Sequence, residues 1–308
     1  MKARLIIDCD PGHDDALALM VAHHFAEVLL VTTVSGNAPV DLTTANALRV
    51  LDLLEVATPV YSGAAEPLQG APRYALHVHG ADGLGGVDLP PPGRPAASGA
   101  VSQLIDVCEA NPDAWLVALG PLTNLAQMFR LRPDLAERLP GISIMGGSAA
   151  GGNATPVAEF NIFADPYAAA VVFESGARIR MCGLNLTRQV MSSAGWLDTF
   201  RDQNNPRARF VVQLLTFLHE RMVHLTGQAA AALHDPCAVL AVTHQQLFNF
   251  VPRPVTVELT GRHTRAMTVV DERPLPGSRP NVEVGYTVDS AALLSLIRTG
   301  ILAGVSSI

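Results

Sequence analysis

Short apolar runs alternate with amphipathic stretches along most of this chain. Leu5, Ile6 and Ile7 make an uninterrupted apolar segment of the kind buried on both faces of a parallel sheet, and Pro11 with Gly12 ends it. A helix is predicted from Asp14 and Asp15 through Ala22. The pattern then predicts a strand over 29–34, a helix over 42–54, a strand over 59–61 and a helix over 101–110. It continues with a strand over 115–119, a helix after Pro121, a strand over 142–145, a helix over 166–174 and a strand over 179–182. Such alternation predicts βαβ units, hence an α/β fold with an open, mostly parallel sheet and helices on both faces. Beyond it, helices are predicted over 194–203, 207–225 and after Asp235, and the last over 290–298. Strands over 255–259, 266–270 and 282–288 follow one another closely enough to predict an antiparallel edge that makes the sheet mixed. Two Gly- and Pro-rich connections, 62–98 and 146–164, exceed ordinary loop length and are expected at the working site.

Composition narrows the range of partners. With 308 residues, nearly half of them apolar, the chain has a sizeable core and room for one large α/β domain or two small ones; a single domain over 1–308 is expected. A net charge of -7 and the lack of any basic run exclude nucleic acid and anionic membrane as expected partners, because polyphosphate binding depends on clustered Lys and Arg. Cys9, Cys108, Cys182 and Cys237 have no paired spacing and read as buried free thiols. No apolar segment is long enough to span a bilayer, and the first strand begins too early to leave room for a cleavable signal, so a cytoplasmic protein is expected.

The densest chemical signal lies where the first strand breaks. Asp8, Asp10, Asp14 and Asp15 fall within eight positions, with Asp10 at the strand's carboxyl end and the last two in the first turn of a helix. Two carboxylates about 4 Å apart repel by roughly 1 kcal/mol in water and about 4 kcal/mol at an effective dielectric of about 20, so converging ones either raise a pKa or hold a cation. A divalent metal is the simpler outcome. Ligands of open α/β sheets bind outside the carboxyl ends of the strands, and other polar signals fall on that rim: residues 35–37, 120–124, Gly146 and Gly147. The Leu119 carbonyl, at a frayed strand end, can serve as a neutral oxygen ligand. Asn37 by itself reads as a turn former.

Farther along, Asn153, Glu159 and Asn161 offer one carboxylate and two amides within nine residues, a mixture suited to the several hydroxyls of a sugar. Asp165 before Pro166 reads as a helix start. His234 and Asp235 put an imidazole and a carboxylate side by side at another helix start, one able to donate a proton and the other to bind a cation. His79 lies in the Gly-rich segment HVHGADGLGG, which can carry it over a ligand. The remaining histidines read as core or surface residues, and neither a P-loop nor a dinucleotide fingerprint is present.

Taken together, these residues resemble the inosine-uridine-preferring nucleoside hydrolase family. Its opening signature DxDPGxDDAxA is matched by Asp8, Asp10, Pro11, Gly12, Asp14, Asp15, Ala16 and Ala18. The likeness continues through residues 35–37, GPLTN at Gly120, MGG at Met145, the block GGNATPVAEFNIFADP and HDPC at His234. The resemblance implies a Rossmann-like nucleoside hydrolase fold assembled as a homodimer or homotetramer. It implies a calcium ion (Ca2+) held by Asp10, Asp15, the Leu119 carbonyl and Asp235. It further implies that Asp14, Asn37, Asn153, Glu159, Asn161 and Asp235 bind the ribose of a ribonucleoside, with Met145 beneath the sugar.

The implied reaction is hydrolysis of the N-glycosidic bond to free base and ribose, in nucleoside salvage or catabolism. The ion lowers the pKa of a water whose proton Asp10 removes, and the departing base is protonated, with His234 the first candidate donor and His79 the second. Where family members often carry Tyr, Arg or Trp on the helix before the HDP block, this chain has Met222 and Thr226, which leaves base preference open. His13 stands where Ile is commoner and has no assigned role.

Two other readings compete. A catalytically silent nucleoside- or ribose-binding paralogue would keep the site without turnover, against which the intact Asp10 and His234 argue. An aspartate-nucleophile phosphatase would use Asp8 and Asp10 as a DxD pair after the first strand, leaving Asp14, Asp15, Asn153, Glu159 and Asn161 without a task.

Overall fold

The computed structural model describes residues 2–273, 276–277 and 279–303. Its strands are β1 (Ala3–Cys9), β2 (Ala26–Thr33), β3 (Val60–Ser62), β4 (Ala97–Ser98), β5 (Trp115–Ala118), β6 (Ile142–Met145), β7 (Ile179–Cys182), β8 (Met191–Ser193), β9 (Ala230–Ala232), β10 (Phe248–Arg253), β11 (Val255–Val257), β12 (Thr268–Val270) and β13 (Val282–Val288). Nine of them form one sheet in the order β10-β13-β7-β6-β5-β1-β2-β3-β4. Every pairing in it is parallel except that of β10 with β13 at one edge.

This order sets where the candidate site lies. From β1 the chain steps outward through β2, β3 and β4, then returns to β5 on the other side of β1 and continues to β6 and β7. The crevice at the carboxyl ends of β1 and β5 is therefore the point where the winding reverses, and ligands of doubly wound sheets bind at such points.

β1 is apolar at its centre, Leu5 to Ile7, because both faces of the sheet are covered there. Its side chains alternate between two cores. Leu5, Ile7 and Cys9 pack on one face among residues of the helices His13–Phe25, Asp235–Thr243 and Ser290–Ala303; Ile6 packs on the other with Leu104, Leu116 and Leu125. Complete burial of each Leu or Ile side chain stabilises the fold by about 1.5–3 kcal/mol. The helix His13–Phe25 is buried along most of its length, which is why ALALMVA has no polar stripe.

The structure corrects the expected edge. An antiparallel edge strand exists, but it is β10, whose Pro252 weakens the strand signal and is tolerated because the strand lies at the edge. Of the three strands predicted to form that edge, only β13 enters the sheet, and it runs parallel to β7; β11 and β12 pair with each other as a separate ladder. The alanine run at 229–232, which carries no strand propensity, contributes β9, antiparallel to β8. The last helix runs to Ala303 rather than stopping near 298. Gly300 does not end it. A Cβ there would lie 3.1 Å from the Val21 backbone, so glycine lets this helix approach the central one. All four cysteines are buried and free. No helix among the described residues is long and apolar enough to cross a membrane.

Candidate active site

Asp10 occupies the carboxyl end of β1 with no exposed surface. Its Oδ2 accepts the Asn37 backbone N–H at 2.6 Å, while its Oδ1, equally buried, has no hydrogen-bond partner. The turns after β2 and β5 close over it at Gly36 and Gly120, where a Cβ would overlap the Asp10 carboxylate. Only glycine permits that approach.

Asp15 ties the end of β1 to the start of the following helix. Its Oδ2 accepts the Gly12 N–H at 3.0 Å and its Oδ1 the Asp10 N–H at 3.1 Å, so the carboxylate meets two backbone donors at the helix entrance. Asn37 completes the knot, its Nδ2 donating to the Asp10 carbonyl and to Asp15 Oδ2, each at 3.1 Å. The residue that reads alone as a turn former is thus a clamp on two of the acids.

Three carboxylates converge beside this knot. One oxygen each of Asp14, Asp15 and Asp235 lie within 4.8 Å of one another. The trio includes Asp14, which the resemblance assigns to the sugar, while Asp10 stands alongside with its free oxygen. Burial, then the neighbouring charges, pushes the Asp10 and Asp235 carboxyls well above the ordinary range. Burial also lifts Asp14 and Asp15 to about 6, the latter with repulsion from Asp14. These oxygens are desolvated faster than they are neutralised, which is the electrostatic condition a bound cation reverses.

Asp8 has a different role. Its Oδ1 accepts Thr32 Oγ1 at 2.6 Å and Asn124 Nδ2 at 2.8 Å beneath the site, and burial lifts it to about 7 against the pull of those two bonds. These bonds tie Asp8 to β2 and to the helix Thr123–Leu131, while its Oδ2, like Asp10 Oδ1, is buried without a partner.

On the opposite wall Asn161 reaches from the short helix Phe160–Ala164 to the strand ends, its Nδ2 donating to the carbonyls of Leu119 (2.7 Å) and Met145 (3.0 Å). Its Oδ1 makes no hydrogen bond among the described residues. Glu159 caps that helix, accepting the N–H groups of Asn161, Ile162 and Gly147, and burial raises it to about 7. Asn153 lies at the surface with its Oδ1 receiving the Phe160 N–H at 2.9 Å, so that carbonyl serves the loop.

Two histidines complete the rim. His234, ahead of the helix Asp235–Thr243, is paired through Nδ1 with Thr187 Oγ1 at 2.7 Å. His79 ends the short helix Leu76–His79 and sits against Gly12, where a Cβ would lie 2.5 Å from its Nδ1. Burial drives both toward the neutral form, His234 to about 4, with Arg188 contributing, and His79 well below the ordinary value, with His13 and His234 adding. On the long helix Pro206–Thr226, the hydroxyl of Thr226 is spent on the Met222 carbonyl at 2.8 Å.

Sequence reasoning missed the partners of these groups. Thr32 and Thr187 touch Asp8 and His234, and Phe217 stacks on His13, yet none belongs to a recognisable spacing. Gly36, Gly120 and Asn124 were visible as turn residues on the rim, and their position after strands was the available signal.

With its acids gathered at the β1–β5 switch point, the chain belongs to the inosine-uridine preferring nucleoside hydrolase family, whose sequence model matches residues 5–295. It is a ribonucleoside hydrolase, an enzyme acting on N-glycosyl compounds. It is 42% identical over 303 residues to the pyrimidine-specific ribonucleoside hydrolase RihA of Enterobacter sp. (strain 638), covering 96% of this chain and 97% of that protein. It is 40% identical to the protein of the same name from Salmonella typhi, with the same coverage. Among solved structures, the purine-preferring ribonucleoside hydrolase from Gardnerella vaginalis superposes with a TM-score of 0.92 at 29% identity, covering 97% of this chain and 98% of that one. An inosine-guanosine nucleoside hydrolase superposes with a TM-score of 0.89 at 32% identity, covering 99% and 100%.

Proposed function

We propose that this enzyme hydrolyses pyrimidine ribonucleosides to free base and ribose with the aid of one calcium ion. The observation that carries the proposal is the convergence of the Asp14, Asp15 and Asp235 oxygens beside the orphaned Oδ1 of Asp10. An all-oxygen set rich in carboxylates, with no sulfur and no imidazole in the trio, suits a hard cation such as calcium. Asp10, Asp15, Asp235 and the Leu119 carbonyl would hold it, with Asp14 close enough to share. When bound, the ion supplies positive charge that offsets the buried carboxylates and makes a water easier to deprotonate.

The chain's own groups account for the rest. Asp10 Oδ1, desolvated and unpaired, is the base that takes the proton of the attacking water. Asn37 and the two glycines hold that carboxylate in one orientation. Asp14, Glu159 and Asn161 Oδ1 present acceptors to the ribose hydroxyls, and their partial or full negative charge favours the sugar as it becomes positive on bond breaking. The two histidines are neutral at pH 7, so each assists the leaving base as a neutral N–H donor rather than as an imidazolium. Pyrimidine preference rests on the relatives at 40–42% identity, whose name carries that specificity, whereas the purine-preferring structure shares 29%.

A panel of uridine, cytidine, inosine and adenosine assayed for ribose release with calcium present tests the reading. Uridine and cytidine should turn over fastest. No ribose from any of the four would favour the silent paralogue and overturn the proposal, and faster purines would overturn the base preference. His234→Ala should lower kcat on uridine by roughly 100-fold while changing an activated nitrophenyl riboside, whose leaving group needs no proton, only a few-fold. Equal losses on both substrates would remove His234 as a donor.

A further inference from the structure

His13 lies in the opening signature with no exposed surface, and its ring is held by Phe217, the two planes 12° apart with centroids 5.5 Å apart. The loop after His79 folds over the pair at Gly85, where a Cβ would meet the Phe217 ring at 2.5 Å and His13 Nε2 at 3.0 Å. His13 and His79 meet through their Nδ1 edges at 2.8 Å, with centroids 4.9 Å apart and planes 29° apart. At that separation only one of the two Nδ1 atoms can carry a hydrogen. A second contact decides which. The backbone N–H of His13 also points at His79 Nδ1, at 3.3 Å, so that nitrogen receives hydrogen bonds from two donors and must be bare. The shared proton therefore belongs to His13 Nδ1.

We infer that His13 is a positioning residue that fixes the tautomer of His79, placing the His79 proton on Nε2 as the donor to the leaving base. This rests on the reading that His79 assists base departure. His79 Nε2 makes no hydrogen bond among the described residues, so its proton is uncommitted, and the imidazole lies beside Gly12 and Asn37 at the acidic rim. His234 has no such constraint: a threonine hydroxyl can donate or accept, so its bond to Thr187 allows either tautomer. The contrast assigns the preset N–H to His79. His13 itself, with its proton on Nδ1, keeps Nε2 bare, consistent with that atom's being buried and unpartnered. A ring nitrogen's protonation is set by the bond the other nitrogen makes, and here that bond comes from within the chain.

The test combines spectroscopy with kinetics. Long-range 1H–15N spectra of the 15N-histidine-labelled, calcium-loaded enzyme should show His79 as the Nε2–H tautomer, its signals assigned by their loss in His79→Gln. His13→Asn, whose side-chain amide can donate from the place of Nδ1, should keep that tautomer and stay within about threefold of the parent on uridine. His13→Leu should mix the tautomers and lower kcat on uridine roughly 10- to 100-fold, leaving the nitrophenyl riboside within about threefold and KM little changed. An Nδ1–H signal for His79 in the parent enzyme, or equal losses on both substrates in a folded His13→Leu, would overturn the inference. His79→Ala separates the two layers. If it slows uridine and the nitrophenyl riboside alike while the parent spectrum still shows Nε2–H, the donor role of His79 fails and the tautomer assignment stands.

Discussion

Asp10→Asn should lower ribose release from uridine by about 10³–10⁴-fold and leave the fold intact. The argument starts from the clamp. Asp10 has no exposed surface, and Gly36 and Gly120 leave no room around its carboxylate for any reorientation. Asn is the same size, and its Oδ1 can still accept the Asn37 N–H that Asp10 Oδ2 accepts at 2.6 Å. What the substitution removes is the ability of the other oxygen, unpartnered in the parent, to take a proton and to contribute negative charge toward a cation. Stability should not fall with activity, because one of several mutually repelling buried carboxylates has been discharged. Steady-state rates and thermal unfolding on the same preparation check both halves. A rate within about tenfold of the parent, with an unchanged Tm, would end the case for Asp10 as the base.

The parallel sheet was legible because its strands are buried on both faces and so read as unbroken apolar runs between turn residues. β6 and β7 lie where that pattern puts them. β9 and β10 were not legible, since alanine carries no strand preference and Pro252 speaks against a strand unless its position at an edge is already known. For the site, an acidic cluster at a strand end is a local signal, and Asp10, Asp15 and Asp235 could be named from it together with the family resemblance. The division of labour among the acids could not. Asp8 and Asp10 look alike in the sequence and each keeps one unpartnered oxygen, yet Asp8 is bound to Thr32 and Asn124 whereas Asp10 accepts the Asn37 N–H beneath Gly36 and Gly120. That difference depends on residues 24 and 116 positions away from Asp8. His13 escaped for the same reason, because its meaning lies in His79 and Phe217, which only the folded chain brings to it.

Calcium should both switch the enzyme on and reverse its pH–stability relation. Chelation at pH 7 should reduce ribose release by roughly 10³-fold or more, with recovery on adding calcium back. The stability effect follows from proton linkage. Asp14 and Asp15 have their carboxyls raised from an ordinary 3.8 to about 6 in the folded chain, so in that window the folded state binds more protons than the unfolded one. Their contribution favours folding below pH about 4 and is lost as pH rises through about 6; Asp8, lifted to about 7, acts in the same direction. The chelated chain should therefore lose stability through these groups between about pH 4 and 7. Calcium needs the same carboxylates deprotonated, so its stabilising effect should grow across that window. At about a hundredfold excess over its Kd the ion adds about 2.7 kcal/mol, roughly 5 °C in Tm for a chain of this size. Scanning calorimetry with chelator and with calcium, at pH 4.5 and at pH 7, checks the sign. A calcium-induced rise in Tm at pH 7 that shrinks toward zero at pH 4.5 is the expected result. The same Tm with and without calcium at pH 7 would mean that the buried acids hold no cation.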